Sequence, residues 1–150
     1  MSPLAYAIQR LAPGPHLHDV VPLQVKRIAD MGGVKFMFLT HQDDVGDHEK
    51  WAEHFGAQRV MHERERQPRF QGIERWLTGT GPWEIDDEGD VVIVHTPGHT
   101  RGHCCLLFRP ARALFTGDHL SLSEDERGLS IHRGFNWYSV PEQARATRHP

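Results

Sequence analysis

Cysteine is nearly absent: the 150 residues hold only Cys104 and Cys105, side by side. Neighbouring cysteines cannot cross-link distant parts of a chain, which excludes a disulfide-stapled scaffold and agrees with a reducing compartment. Long apolar runs are missing as well. Runs such as 36–39 and 91–94 fall far short of the ~18 residues a membrane span needs. Residues 1–12 lack a basic n-region and a continuous apolar h-region, so no signal peptide is expected. Charge of one sign is lacking too: 17 basic and 20 acidic residues leave a formal charge of -3, which makes no electrostatic case for nucleic acid or acidic lipid. A cytoplasmic protein acting on a small molecule is the expectation, with neither nucleic acid nor membrane as partner. With 38% hydrophobic and 25% charged residues, disordered and fibrous chains are excluded. A chain this long suits one domain, able to bury roughly 68–70% of its unfolded surface.

What the chain has in abundance is histidine, 12 residues of 150. Imidazole is the commonest metal ligand and the usual proton carrier near neutral pH, so the placement of these residues leads the argument.

A single domain over 1–150 is expected, made of a loose lead-in (1–18), a motif-bearing core (19–120) and an irregular C-terminal segment (121–150). From Asp19 the pattern turns helical, with Val21, Val25, Ile28 and Ala29 on one face and Gly32-Gly33 as its stop. Residues 34–40 read as a strand covered on both faces. Asp44 reads as the N-cap of a helix over 45–55, in which Trp51 and Phe55 lie one turn apart, and Gly56 ends it. Residues 58–62 read as another short strand. Strand–helix–strand implies a parallel pair with a right-handed crossover. Glu63 to Arg69 is a charge run of the kind that forms a solvated face or loop, and 63–82 is otherwise hard to read. Beyond it, 83–85 and 91–94 read as strands around the turn 86–90, and 104–108 with 113–116 as a hairpin around 109–112. Segment 119–136 reads as polar loop, and 141–147 as a final helix.

Three polar clusters each follow an apolar strand: His41-Gln42-Asp43-Asp44, then His95-Thr96-Pro97-Gly98-His99-Thr100-Arg101-Gly102-His103, then Gly117-Asp118-His119. Carboxyl ends of strands are where ligands gather in sheets with helical cover. If the three strands are neighbours, their imidazoles and carboxylates meet on one edge, where a divalent metal finds the three or four ligands it needs. Pro97-Gly98 forces a tight turn that leaves His99 at its tip, a place ordinarily taken by Asn, Asp or Ser.

The run His95-Thr96-Pro97-Gly98-His99-Thr100, followed by Phe115-Thr116-Gly117-Asp118, resembles the third and fourth motifs of the metallo-β-lactamase-fold hydrolases. Leu39-Thr40-His41 sits where that family places its first metal-binding motif, and the resemblance covers about residues 34–120. It implies an α/β (α+β) fold, a partial version of the family's αββα sandwich with mixed sheets. It also implies one or two divalent metals, usually zinc, at the sandwich edge, and hydrolysis of esters, thioesters, amides or phosphodiesters by metal-activated water. By the resemblance His41 and His99 are metal ligands, Asp118 is the carboxylate that bridges two metals, and His95 stands outside the ligand set.

The chain departs from the family at its first motif, His-x-His-x-Asp-His. Asp43 occupies the second histidine's position, where carboxylate oxygen can replace imidazole as a harder ligand. With a one-residue contraction Asp44 takes the motif's aspartate and Val45, which cannot ligate, its last histidine. His48 is either a substitute ligand or a solvated helix-face residue. The family's β-rich opening has no room in 1–18, and its last ligand, a histidine in a Gly-His turn, has only His132 and His149 as candidates, neither in that setting. The chain therefore reads as the middle of such a fold with both ends trimmed.

The expected metal set is His41, Asp43, Asp44, His99 and Asp118, with Asp44 and Asp118 orienting the attacking water. One ion on His41, Asp43, His99 and Asp118 is more economical than a pair, zinc first and iron or manganese next. His103 and His119 either hold a ligating imidazole in one tautomer or are simple neighbours. The alternative reading is a non-catalytic, degenerate domain kept for binding or assembly, its open edges covered by a partner or second copy. A histidine-rich metal store fits less well, since the histidines are scattered rather than tract-like.

Overall fold

The computed structural model describes residues 21–43, 45–123, 125, 127–131 and 133–148. Helix α1 is Val21–Asp30, with Val25 and Ile28 half-buried, and the chain leaves it through Gly32 and Gly33 at positive φ. Strand β1 is Phe36–Phe38, the centre of the apolar run 34–40. Helix α2 is His48–Phe55, later than the 45–55 expected, with Asp47 rather than Asp44 at its N-cap position. Gly46, at φ 52°, holds a left-handed conformation that no helix continues through. Asp44 lies outside the described residues. Trp51 and Phe55 do share a face, their rings stacked at 6.0 Å, and Gly56 closes the helix at φ 64°.

Strand β2, Gln58–His62, pairs parallel with β1, as the strand–helix–strand pattern predicts. Strand β3, Arg75–Leu77, then pairs parallel with β2. It went unseen because its three residues carry no alternation long enough to read. The antiparallel sheet runs β4 (Trp83–Glu84), β5 (Val91–His95), β6 (Cys104–Phe108) and β7 (Ala113–Phe115), in that order. Both hairpins fall where expected. The polar stretch after residue 119 contains a small β8–β9 pair, Ser121–Leu122 with Leu129–Ser130, before helix α3, Val140–Arg148.

Period-two alternation builds the layers. Phe38, Val60 and Leu77 of the parallel sheet meet Ile93, Cys104 and Leu106 of the antiparallel sheet in one buried cluster. Met37 and Met61, one residue out of phase, point the other way, into a second cluster with Leu39, Phe70, Ile73 and Trp51 of α2. The result is an α/β sandwich with helix α2 on one sheet and a second sheet against its other face. Its mixture of strand directions lies between the sheets, since one is wholly parallel and the other wholly antiparallel.

The charge run at 63–69 is not simply solvated. Glu65 is 1% exposed, and Phe70 directly after the run is equally buried. Cys104 and Cys105 are both buried, on opposite faces of β6: Cys104 enters the inter-sheet core, while Cys105 Sγ lies 3.3 Å from Thr96 Oγ1. Burial pushes the Cys104 thiol well up and Cys105 to about 11, so both are inert at neutral pH. Among the described residues no helix is long and apolar enough to cross a membrane.

Candidate metal centre

The three polar clusters converge, though not from neighbouring strands. β1 belongs to the parallel sheet, and in the other sheet β6 separates β5 from β7. They meet because the two sheets are stacked with these strand ends at a common edge. The junction is direct: Cys104 N–H donates to Thr40 C=O at 3.0 Å, and Thr96 N–H to His103 C=O at 2.9 Å closes the base of the 96–103 loop.

Two carboxylates flank the imidazoles of His41 and His99. Asp43 Oδ2 lies 3.9 Å from His41 Nε2 and 3.4 Å from His99 Nε2. Asp118 Oδ2 lies 3.6 Å from His41 Nε2 and 3.8 Å from His99 Nε2. A direct imidazolium–carboxylate hydrogen bond would draw these atoms to about 2.7–2.9 Å. Donors that share a tetrahedral cation with bonds of 2.0–2.2 Å lie about 3.3–3.6 Å apart. Both Nε2 atoms are buried and have no hydrogen-bond partner, a state that ordinarily costs about 1–3 kcal/mol per group unless something else meets the lone pair. His41, Asp43 and His99 each offer one donor atom, and these atoms all lie within 4.8 Å of one another. The donor types, two imidazoles and two carboxylates, are those a divalent cation takes.

The other ring nitrogen of His41 has a hydroxyl partner. Thr40 Oγ1 lies 2.9 Å from His41 Nδ1; accepting the Nδ1–H there would leave Nε2 as a bare lone pair. Burial lowers the His41 pKa, with the neighbouring His99 adding to the effect and Asp118 and Asp43 opposing it, so the ring is neutral at pH 7. Thr40, rather than another histidine, is thus the orienting partner.

His103 and His119 extend the imidazole cluster without joining the four. His103 is fully buried, stacks 5.3 Å from His41 and 5.7 Å from His119, and pairs through Nδ1 with Thr96 Oγ1 at 3.0 Å. Burial, then the charge of His41, pushes its pKa well down. Thr147 Oγ1 donates to Gln143 C=O at 2.8 Å and so accepts from His119 Nε2 at 3.2 Å. Burial and His99 lower the His119 pKa to about 4. His48 is elsewhere: buried at the start of α2, its Nδ1 lies 3.2 Å from Arg59 Nη1, so it is neither a substitute ligand nor solvated. His132 and His149 lie outside the described residues.

The 96–103 loop owes its shape to close packing with α3. Gly98 has φ 150°, and a side-chain carbon there would come within 2.5 Å of Gln143 N and closer still to its Cα and Cβ. Ser139 N–H donates to Gly98 C=O at 2.8 Å and Trp137 N–H to His99 C=O at 2.9 Å. Gln143, 1% exposed, donates from Nε2 to the carbonyls of His119 at 2.7 Å and Asp118 at 3.3 Å, while its Oε1 accepts from Asn136 Nδ2. The Gln143 amide therefore ties the Asp118 turn to α3, while the backbone leading into α3 holds the His99 turn. Nothing in the sequence marks Gln143, because a glutamine in a short amphipathic helix normally faces water.

Residues 32–145 match the Metallo-beta-lactamase superfamily. A hydroxyacylglutathione hydrolase of Pelagibacter ubique (strain HTCC1062) is 30% identical over 89 residues, which are 58% of this chain and 36% of that protein. The match thus spans little more than a third of the curated relative. Among solved structures, the B3 metallo-beta-lactamase BLEG-1 superposes with a TM-score of 0.65 at 19% identity, covering 87% of this chain and 69% of that one. TTHA1623 in a di-iron-bound form gives 0.60 at 19% identity, covering 91% and 71%. An N-acyl homoserine lactone hydrolase gives 0.55 at 18% identity, covering 83% and 53%. At these identities the structural likeness speaks for the fold.

Proposed function

Because the chain belongs to the metallo-β-lactamase superfamily, we propose that it is a metal-dependent hydrolase of small acyl substrates, centred on His41, Asp43, His99 and Asp118. The observation that carries the reading is the meeting of two buried, partnerless Nε2 atoms with two carboxylates at 3.4–3.9 Å. When bound, a divalent ion supplies a coordinated water whose pKa falls from near 16 to about 7, and a positive charge for the developing oxyanion. The chain's own residues supply the rest. Thr40 holds His41 with Nε2 free, Gln143 holds the turn that carries Asp118, and α3 holds the turn that carries His99. Asp118 is the carboxylate proposed to orient the attacking water, together with Asp44 as the sequence assigns it.

The donor set suits zinc, and also iron or manganese; a single ion is favoured because both carboxylates lie against the same two imidazoles. The names of two matched proteins, a hydroxyacylglutathione hydrolase and an N-acyl homoserine lactone hydrolase, favour ester or thioester carbonyls over phosphodiesters. A second reading, a non-catalytic domain kept for assembly, draws on the exposed Leu114 and Phe115 of β7, the terminal strand of its sheet.

Metal content and turnover test the proposal together. Protein purified without chelators should carry about one equivalent of zinc, iron or manganese and hydrolyse an activated thioester or ester. His99→Ala should reduce metal affinity and kcat/KM by more than the roughly 10–100-fold typical of losing a residue that merely supports a ligand. A folded wild type that binds none of these ions and turns over neither substrate would leave the assembly reading standing.

A further inference from the structure

The buried end of the 63–69 charge run reaches the metal loops. Parallel pairing of β1 and β2 brings the segments after both strands to the same edge, so the turn Glu63–Glu65 follows β2 into the neighbourhood of residues 41–43. Glu65 divides its two oxygens between two loops. Oε2 accepts the Gln42 N–H at 2.9 Å, and Oε1 accepts the Gly102 N–H at 2.5 Å. Gln42 stands between His41 and Asp43; Gly102 belongs to the loop that carries His99. The approach to Gly102 depends on its having no side chain, since a Cβ there would lie 2.8 Å from Glu65 Cγ and Oε1 and 2.9 Å from His62 Nδ1.

The same segment grips two further polar groups of Gln42. Gln67 Nε2 donates to Gln42 Oε1, and Arg69 Nη2 donates to Gln42 C=O at 2.6 Å. Glu65 is not itself in the group whose donors converge within 4.8 Å, and both its oxygens are engaged by backbone N–H groups. Two N–H donors, one buried and one part-buried, aimed at one side chain call for two acceptor oxygens, and only a carboxylate offers two with the added strength of charge.

We propose that Glu65 is a positioning residue of the metal centre: its carboxylate sets, through the amides of Gln42 and Gly102, the separation of the His41–Asp43 pair from His99. This rests on the metal-centre reading above. Metal ions discriminate donor placement at the few-tenths-of-an-ångström level, whereas His41 and Asp43 sit on a loop with no strand pairing of its own, so an external clamp is what makes the site rigid.

Glu65→Gln tests the clamp at nearly constant shape. It replaces one acceptor oxygen by an NH2 group facing an N–H donor, which breaks one of the two bonds. Cobalt(II) is the probe, titrated into metal-free protein and read by its visible d–d bands. Glu65→Gln should weaken cobalt binding by about 10–100-fold and alter the band pattern, with the far-UV circular dichroism unchanged. Glu63→Gln, which alters an exposed neighbour whose carboxylate accepts from Gly79 N–H in the loop beyond β3, should bind as the wild type does. Glu65→Gln with wild-type affinity and spectrum overturns the inference while leaving the metal reading in place; a wild type that binds no cobalt overturns both. Should Glu65→Gln fail to fold, amide exchange in the metal-free wild type decides: the Gln42 and Gly102 amides are expected to be strongly protected, and free exchange at either refutes the clamp.

Discussion

Replacing Gly98 by alanine puts the proposed architecture under direct strain. The added carbon would occupy the space of the Gln143 backbone, within 2.5 Å of its nitrogen, at a φ of 150° that alanine rarely adopts. Forcing a methyl group into close-packed surroundings typically costs about 1–3 kcal/mol, and the disfavoured backbone conformation about 1–3 kcal/mol more, together about 2–6 kcal/mol. The protein could relieve the overlap by undocking α3. That surrenders the bonds from Trp137 N, Ser139 N and Gln143 Nε2 to residues 98, 99, 118 and 119, at about 0.5–1.5 kcal/mol each, so both routes reach a similar total. Against a total stability of about 5–15 kcal/mol the loss is large. Urea denaturation of metal-free Gly98→Ala should show a lower midpoint, and thermal melts a Tm reduced by about 5–20 °C. Gly128→Ala is the control, because a Cβ there meets nothing within 4 Å. If Gly98→Ala unfolds within about 0.5 kcal/mol of Gly128→Ala, α3 does not rest on the His99 turn, and the account of how that turn is held is wrong.

Acid should destabilise the metal-free protein well before its carboxylates titrate. Burial leads the causes that lower the pKa values of His41, His48, His95, His103 and His119. Between the unfolded value near 6.5 and each depressed folded value, the unfolded chain binds more protons, so stability present above pH 6.5 drains away as pH falls. His119, with a folded value of about 4, accounts for on the order of 3 kcal/mol by itself; a urea midpoint that stays flat from pH 7.5 to 5 would refute this. Cys104 and Cys105 should resist alkylation in the native state at pH 8, since a thiol with a pKa of about 11 is ionised to only about one part in a thousand. Rapid native-state labelling, at a rate independent of added denaturant, would show that β6 is not buried as described.

The sequence alone was enough to identify the elements that obey short-range rules. The apolar run around β1, the helix closed by Gly56, the two antiparallel hairpins and the final helix all announce themselves through periodicity and turn chemistry within a dozen residues. His41, Asp43, His99 and Asp118 were legible for a related reason: each follows a strand directly, in a turn with unusual residues, and so invites the question of what waits at that edge. Tertiary structure alone decided how the three turns meet. They do so across two stacked sheets rather than along one, because the alternation that sends Phe38 and Val60 inward pairs them with Ile93 and Leu106 of the other sheet. It also decided which polar residues hold the turns in place. Glu65 and Gln143 look like surface residues in the chain, since a carboxylate or amide is soluble anywhere. They are buried here because each meets backbone groups distant in sequence, Glu65 at 42 and 102 and Gln143 at 118 and 119.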